Sequence, residues 1–370
     1  MTTDLRVGLV GFGWVNREVW FPRLLQHRNC QVVAVCDPAF TGQRPDPLDG
    51  VAVVDRPAAL VEHDLDFAVV ATPNHLHEEA AGHVLDAGVA ALVEKPLCLS
   101  SAELKRLTRR AVAGGSTLQV SRVSARRRDV LALRSLVRRM SVGPVQVRAE
   151  WLRSAGVPRP GSWFTRRAEA GGGALLDLGW HLAEATAGML PGSRPVELTA
   201  HLSGTSSEAV EAGAKWRADE GGTGPIDVET DGELRAVYPD GSSLSLRAAW
   251  VSDTPVDTTR ISVRGTDAEG APYRAELLTT FGFSPHRVTC PVLRVERAGQ
   301  HHEWHAGTVP GQEYDDQLEA AVAMVRRRAP WRTELLGTAS VMALFEEAYR
   351  VAGRPLLPEG EAEPVGVRRC

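Results

Sequence analysis

Lysine is almost missing from this chain: Lys95, Lys105 and Lys215 are the only three among 42 basic side chains. Where arginine would serve, the chain uses arginine, so a lysine inside a motif asks for its own reason. Cysteine is scarce too. Cys30, Cys36, Cys98, Cys290 and Cys370 are odd in number, scattered and without a CxxC pair, which argues against a disulfide framework or a zinc site. No apolar run approaches the ~20 residues needed to span a bilayer. A dominant charge sign is also absent: the formal net charge is −4, so nothing global points to nucleic acid. There is no internal repeat and no low-complexity segment. The opening MTTDLRVGLVGFG enters a strand at once, with no basic n-region and no cleavage site, so a cytoplasmic protein that engages neither membrane nor nucleic acid is expected.

What is present is enough for a full core. The chain has 370 residues, 43% of them hydrophobic, and at roughly 100–200 residues per domain it predicts two domains. Residues 5–10 (LRVGLV), 31–36 (QVVAVC), 67–71 (FAVVA) and 89–93 (VAALV) are short apolar runs that end in turn residues. Helical patterns separate them, including 75–87 with Gly88 as a C-cap and a helix capped by Ser100-Ser101 with Glu103 near its start. Strands alternating with helices predict parallel βαβ units to about residue 121. After that the pattern changes. An Arg-rich helix over 122–140 precedes a strand at 145–153. Hairpin signals follow at 234–250 around Pro-Asp-Gly and at 260–278 around Asp267-Ala268-Glu269-Gly270, with a further strand in 292–305. Amphipathic helices over 312–328 and 333–352 close the chain. The expected architecture is an α/β domain over 1–121, an α+β domain with an open, mostly antiparallel sheet over 122–355, and a tail over 356–370.

Five stretches carry chemistry. Gly11-Phe12-Gly13-Trp14 lies directly after a strand and before a helix, where glycines let the backbone approach a pyrophosphate at a helix N-terminus. The third fingerprint position is Asn16 instead of Gly or Ala. Asp37 ends the second strand at the spacing of an acid that accepts from ribose hydroxyls and repels a 2′-phosphate. No Arg follows it in Pro38-Ala39-Phe40, which favours NAD, although Arg44 lies a little further on. Ala71-Thr72-Pro73-Asn74-His75-Leu76-His77 and Glu94-Lys95-Pro96 end the next two strands, on the edge of a parallel sheet where ligands bind. Lys95 is suited to polarise a substrate hydroxyl. In Gly171-Gly172-Gly173-Ala174-Leu175-Leu176-Asp177-Leu178-Gly179-Trp180-His181 the glycines admit a close backbone approach. Asp177 and His181, four apart, share a helix face as carboxylate and general base. Four of them also have a plainer reading: a tight strand–helix turn, a strand-end turn residue at Asp37, a lysine paired with Glu94, and a core histidine bonded to a helical aspartate.

Together, in this order and spacing over residues 5–181, the motifs resemble the Gfo/Idh/MocA oxidoreductases, the family of glucose–fructose oxidoreductase and inositol 2-dehydrogenase. The resemblance implies a Rossmann domain with bound NAD and a catalytic set of Lys95, Asp177 and His181, with His181 taking the hydroxyl proton. It implies that Gly11, Phe12, Gly13, Trp14, Asp37, Thr72, Pro73, Asn74, His77, Glu94 and Lys95 hold the cofactor, with Pro73, Asn74 and His77 on the nicotinamide side and Glu94 at a ribose. The implied reaction is oxidation of a secondary hydroxyl of a sugar, aminoglycoside or cyclitol to a ketone. Glu150-Trp151-Leu152-Arg153 and Pro158-Arg159-Pro160-Gly161-Ser162-Trp163-Phe164 look like actinobacterial members from sugar-antibiotic pathways. Arg153, Trp163 and Trp180 are substrate candidates, Trp163 and Trp180 as stacking faces that serve the core equally well. The alternatives are a non-catalytic dinucleotide- or sugar-binding regulator of the same fold, and an NADPH-dependent keto-sugar reductase. A homodimer or homotetramer is expected by resemblance. The Arg-rich helix (Arg122, Arg126, Arg127, Arg128, Arg134, Arg138, Arg139) reads as a solvated face. His301 and His302, adjacent on a strand, point to opposite sides, so with His305 they are assigned no metal.

Overall fold

The computed structural model describes residues 4–40, 48–154, 156–212, 222–305, 307, 309–327 and 331–356. Arg44 and the tail beyond Leu356 lie outside the described residues. The chain forms two compact units, Met1–Ser121 with Tyr314–Thr338, and Arg122–Glu313 with Ala339–Cys370.

In the first unit, β1 (Leu5–Val10), β2 (Cys30–Cys36), β3 (Ala52–Val54), β4 (Phe67–Val70), β5 (Ala90–Val93) and β6 (Leu118–Val120) form a parallel sheet in the order β3-β2-β1-β4-β5-β6. A π-helical segment, Val15–Trp20, runs into α1 (Phe21–Gln26); α2 (Pro57–Leu60), α3 (His77–Asp86) and α4 (Ser101–Ala113) follow. Strand order reverses between β1 and β4, so their carboxyl ends flank the crevice where open α/β sheets take ligands. β4 and β5 are buried along their whole length, which is why they read as unbroken apolar runs instead of alternating ones. Ser100 caps α4 as expected: its Oγ accepts from the Glu103 N–H at 3.1 Å, and Glu103 reaches back to the Leu99 N–H at 2.7 Å. Such a cap contributes about 1 kcal/mol. The core of Leu9, Val35, Phe67, Val69 and Leu92 is completed by Trp20 and Phe21, and from far along the chain by Leu318, Ala321 and Val322. The sequence reading kept both closing helices with the second domain. Residues 314–338 instead join the first unit, because the i, i+3, i+4 apolar stripe at 318, 321 and 322 is buried there.

In the second unit, α5 (Val123–Arg126), α6 (Arg128–Met140), β7 (Gln146–Leu152), α7 (Arg167–Ala170) and α8 (Ala174–Thr186) precede a run of strands: β8 (Glu197–Ser203), β9 (Ser206–Ala212), β10 (Gly222–Ile226), β11 (Asp231–Val237), β12 (Ser243–Ala249), β13 (Thr258–Thr266), β14 (Pro272–Thr279), β15 (Val292–Arg297) and β16 (Gln300–His305). α9 (Gln312–Arg327) and α10 (Arg332–Val351) close the chain. Eight strands form one sheet, β16-β15-β14-β13-β7-β12-β11-β8. β7 pairs parallel with β12 and the other pairs are antiparallel. Burial alternates along β11 to β14, the mark of a sheet with one packed face, and α8 packs on β7, β11 and β12. β9 and β10 pair separately.

Two expectations are corrected here. The run 292–305 is a hairpin, turning on Ala298 (φ 48°) and Gly299 (φ 76°). The Arg-rich helix is broken at Arg127, and its face is not all solvated. The Arg127 guanidinium is buried against Asp129 (2.7 Å), Glu313 (3.3 Å) and the Thr279 hydroxyl (2.9 Å). Arg122 pairs with the fully buried Glu184 at 3.4 Å; Arg128, Arg138 and Arg139 remain exposed. No helix among the described residues is long and apolar enough to cross a membrane, and none of their His, Cys, Asp and Glu side chains group as a metal site.

Candidate active site

The glycine loop after β1 is built to leave room on one side only. Gly11 has φ +78°, and a Cβ there would meet the Ala71 carbonyl oxygen at 2.7 Å and the Thr72 Cα at 3.2 Å. It is a glycine because the end of β4 passes beneath it. At Gly13 an added Cβ meets none of the described residues within 4 Å, so on their side this backbone is open to an approaching ligand. Asn16 is fully buried, and its amide donates to the Val10 carbonyl at 3.2 Å and to the Gly11 carbonyl. The departure from Gly or Ala therefore adds a staple that closes the turn. Asp37 is bound to the backbone through both oxygens: one accepts from the Phe12 N–H at 2.7 Å and the other from the Ala39 N–H at 2.9 Å. A carboxylate has about four acceptor positions, so two remain open while the same group ties the loop to β2.

The His77 ring lies between the loops after β4 and β5 and, as a neutral imidazole, donates to one of the two carbonyls that face it. Its Nδ1 faces the Pro96 carbonyl at 2.7 Å and its Nε2 the Thr72 carbonyl at 2.9 Å. Burial lowers its pKa to about 4 against the pull of these two carbonyls. With 1% exposure, the ring braces the loops that would face a nicotinamide and offers little surface of its own. Glu94 is also largely enclosed. Its Oε1 accepts from the Trp20 indole N–H at 2.8 Å and its Oε2 from the Lys95 N–H at 3.1 Å, and burial raises its pKa. Lys95 is half-buried beside it, joined to Pro96 by a cis peptide bond. Pro73 and Asn74 open the short turn before α3, and Phe12 packs edge-on to Phe21 and Phe40. The residues present fit a dinucleotide: an open glycine at a helix start, an acid with spare acceptor capacity, and the Thr72 hydroxyl, which is buried with no hydrogen-bond partner among the described residues.

The second unit holds the acid–imidazole pair. Asp177 and His181 lie four apart on α8. The Asp177 Oδ2 accepts from the Trp250 indole N–H at 3.0 Å. His181 is 9% exposed, with Nδ1 at 3.3 Å from the Ser124 hydroxyl and its ring 5.7 Å from that of Trp151. Arg153 is buried over the Trp151 ring, 5.1 Å from its centroid, and the charges of Asp177 and Asp257 act on it against the lowering of its pKa by burial. Trp163 stays half-buried, stacked on Phe164 at 3.9 Å. Trp180 is corrected as a substrate candidate: it is fully buried and stacked on Phe345 at 5.6 Å, with no face left for a sugar. Sequence reasoning missed Trp250 and Ser124. Nothing in their local pattern marks them; only the packing of β12 and α5 against α8 brings them to the pair.

The chain is similar to known proteins along most of its length. Residues 5–122 match the family model "Oxidoreductase family, NAD-binding Rossmann fold", and residues 130–269 match "GFO/IDH/MocA C-terminal domain". A protein of Amycolatopsis mediterranei named for the oxidoreductase subunit of UDP-kanosamine synthase is 39% identical, over 95% of this chain and 96% of that one. A dTDP-3,4-didehydro-2,6-dideoxy-alpha-D-glucose 3-reductase of Saccharopolyspora spinosa is 30% identical over 60% of this chain and 67% of its own. Among solved structures, GenD2 from gentamicin A biosynthesis, in complex with NAD, superposes with a TM-score of 0.71 at 23% identity, covering 95% of each chain. The 3-ketoreductase KijD10 of Actinomadura kijaniata, with NADP and TDP-benzene, superposes at 0.70 and 22% identity, covering 92% of this chain and 96% of that one. Structures this distant in sequence share the fold; the two family models and the relative matched nearly end to end carry the assignment. The chain belongs to the Gfo/Idh/MocA oxidoreductases.

Proposed function

We propose that this protein oxidises a secondary hydroxyl of a sugar, aminoglycoside or cyclitol to the ketone, with NAD as oxidant. The observation that carries the reading is the Asp177–His181 pair on α8, an imidazole almost enclosed by Ser124 and Trp151 and a carboxylate oriented by Trp250. When bound, NAD supplies the hydride acceptor. Gly11, Phe12, Gly13, Trp14 and Asp37 hold its adenosine and pyrophosphate, and Thr72, Pro73, Asn74, Glu94 and Lys95 the nicotinamide half, with His77 bracing their loops. His181 takes the hydroxyl proton as the carbinol carbon loses hydride. Lys95 polarises the same oxygen, and Asp177 favours the imidazolium as it forms. Alcohol and oxidised cofactor thus become ketone, reduced cofactor and one proton. Arg153, buried among Trp151, Asp177 and Asp257, recognises a polar substituent, and Trp163 stacks on a sugar face.

The cofactor preference rests on Asp37, whose charge next to Phe12 and Ala39 disfavours a 2′-phosphate. The relative named for UDP-kanosamine synthase adds nucleotide-linked sugars to the substrate panel, and the direction is read from the assay. The relative named as a 3-reductase favours a second reading, reduction of a keto sugar. The test is absorbance at 340 nm with NAD or NADP and a panel of nucleotide-linked hexoses, aminoglycosides, inositols and free sugars. NADH formation with one of them is expected. Consumption of NADPH with keto sugars, and no NADH from any alcohol, would establish the second reading instead. Residence in the cytoplasm and assembly into a homodimer or homotetramer are part of the same proposal, the latter read out by light scattering.

A further inference from the structure

The glycine run before α8 is occupied by the protein itself. A Cβ at Gly173 would overlap the backbone carbonyl of Glu229, and one at Gly172 would overlap the Tyr349 hydroxyl. What these two residues do there is specific. A helix leaves its first four N–H groups without intrahelical partners. Here the Gly173 N–H donates to Glu229 Oε1 at 2.8 Å, and the Ala174 N–H to the Glu229 carbonyl at 2.9 Å. The Leu175 N–H donates to Glu229 Oε1 at 3.0 Å, and the Leu176 N–H to the Tyr349 hydroxyl at 3.0 Å. The Tyr349 hydroxyl in turn donates to Glu229 Oε1. The fifth N–H, that of Asp177, is the first to return to the helix, at 2.8 Å from the Gly173 carbonyl. Four donors at the head of α8 are therefore answered by two side chains and one carbonyl from distant parts of the chain, and none is left to water.

Both residues are buried, Glu229 at 1% exposure and Tyr349 at 1%. A carboxylate placed at a helix N-terminus is stabilised by the aligned peptide dipoles, and three hydrogen bonds converge on one of its oxygens. Burial opposes this and raises the Glu229 pKa. The cap begins one residue before α8 and ends one residue before Asp177, so the head of the helix cannot shift or rewind without breaking it. His181 follows one turn later.

We propose that Glu229 and Tyr349 are positioning residues: they fix the head of α8 and so place Asp177 and His181 for proton transfer, without touching substrate or cofactor. The role given to Asp177 and His181 rests on the function proposed above. A misplacement of about 1 Å in a reacting group costs on the order of a hundredfold in rate; removing one of the four caps shifts less.

Tyr349→Phe deletes one hydroxyl and leaves the ring, and Glu229→Gln removes the charge at constant shape. Each is measured for Tm, for NAD Kd, for kcat and KM separately, and for the His181 ring resonances in the ligand-free, 15N-histidine-labelled chain, assigned by difference from His181→Ala. Val341→Ala, a buried truncation elsewhere on α10, is the control for general destabilisation. Tyr349→Phe is expected to lower kcat about tenfold, to leave KM and NAD Kd within about twofold, and to move or broaden the His181 signals. Glu229→Gln is expected to do the same more strongly; if it does not fold, Tyr349→Phe decides alone. Val341→Ala is expected to lower Tm with kcat and the His181 signals unchanged. A Tyr349→Phe chain that behaves as Val341→Ala does, losing Tm alone, overturns the proposal. Lack of turnover by the wild-type chain overturns the function instead, and the His181 signals still decide the positioning role.

Discussion

The two glycine runs of this molecule look alike on paper and have opposite purposes. Around Gly13 none of the described residues comes within reach of an added Cβ, whereas Gly172 and Gly173 are crowded by Tyr349 and Glu229. The first run keeps space free for a ligand. The second makes space for the chain's own polar groups. A glycine therefore marks close approach without saying by what, and only the surroundings distinguish a cofactor loop from an internal cap.

Substitutions can break or sharpen that contrast. The largest effects belong to the reacting groups in each unit. His181→Ala and Lys95→Ala are each expected to lower kcat by roughly 10²–10⁴-fold while NAD binding, followed by calorimetry, stays within a few-fold. Near-wild-type turnover in either removes that residue from the mechanism. Next comes Gly173→Ala, whose methyl has no space beside the Glu229 carbonyl. A loss of about 3 kcal/mol or more is expected, read as a large drop in Tm; a wild-type melting curve would show the second run to be no tighter than the first.

A pH scan probes the first unit. His77 is held neutral by burial, with a pKa of about 4 against an ordinary 6.5. The unfolded chain takes up the proton first as pH falls, so stability present above pH 6.5 is lost between 6.5 and about 4, by at most roughly 3 kcal/mol. His77→Gln is expected to flatten that slope in denaturant titrations, and an unchanged slope would place the acid sensitivity elsewhere. The smallest effect on the fold is expected from Gly13→Ala: a Tm within a degree or two of wild type, and NAD binding weakened about tenfold because a methyl now stands where the pyrophosphate approaches. If the affinity holds, the open space at Gly13 is not a cofactor site.

Much of this was legible beforehand, for identifiable reasons. Parallel strands buried on both faces leave unbroken apolar runs such as FAVV, and turns with Asp and Gly in fixed places, as at Asp240-Gly241, announce hairpins. The turn at Ala298-Gly299 was missed because an alanine at positive φ carries no such signal; Asn or Asp is the usual residue there. The break at Arg127 was missed for a different reason. An arginine among six others reads as solvent-facing, and only the tertiary arrangement of Asp129, Thr279 and Glu313 draws it inward. The spacing of Asp177 and His181 was readable from the sequence alone, as was the acid after β2. Trp250, Ser124, Glu229 and Tyr349 were not, since each reaches the site region through contacts far apart in the chain.

Asp37 bears on how such an enzyme changes its cofactor over evolutionary time. Its two carboxylate oxygens knit the Phe12 and Ala39 amides into one loop, so the selectivity proposed for it and the loop architecture would be inherited together. Asp37→Ala is expected to weaken both dinucleotides while narrowing the gap between them, as shown by the two Kd values. Asn in its place keeps only one of the two ties, because its amide nitrogen donates and cannot accept from a backbone N–H, and a lineage moving toward the phosphorylated cofactor would also have to recruit an arginine among positions 38–40. Two coordinated steps are needed where a ribose-only acid would need one, which would make the proposed NAD preference hard to leave by single mutations.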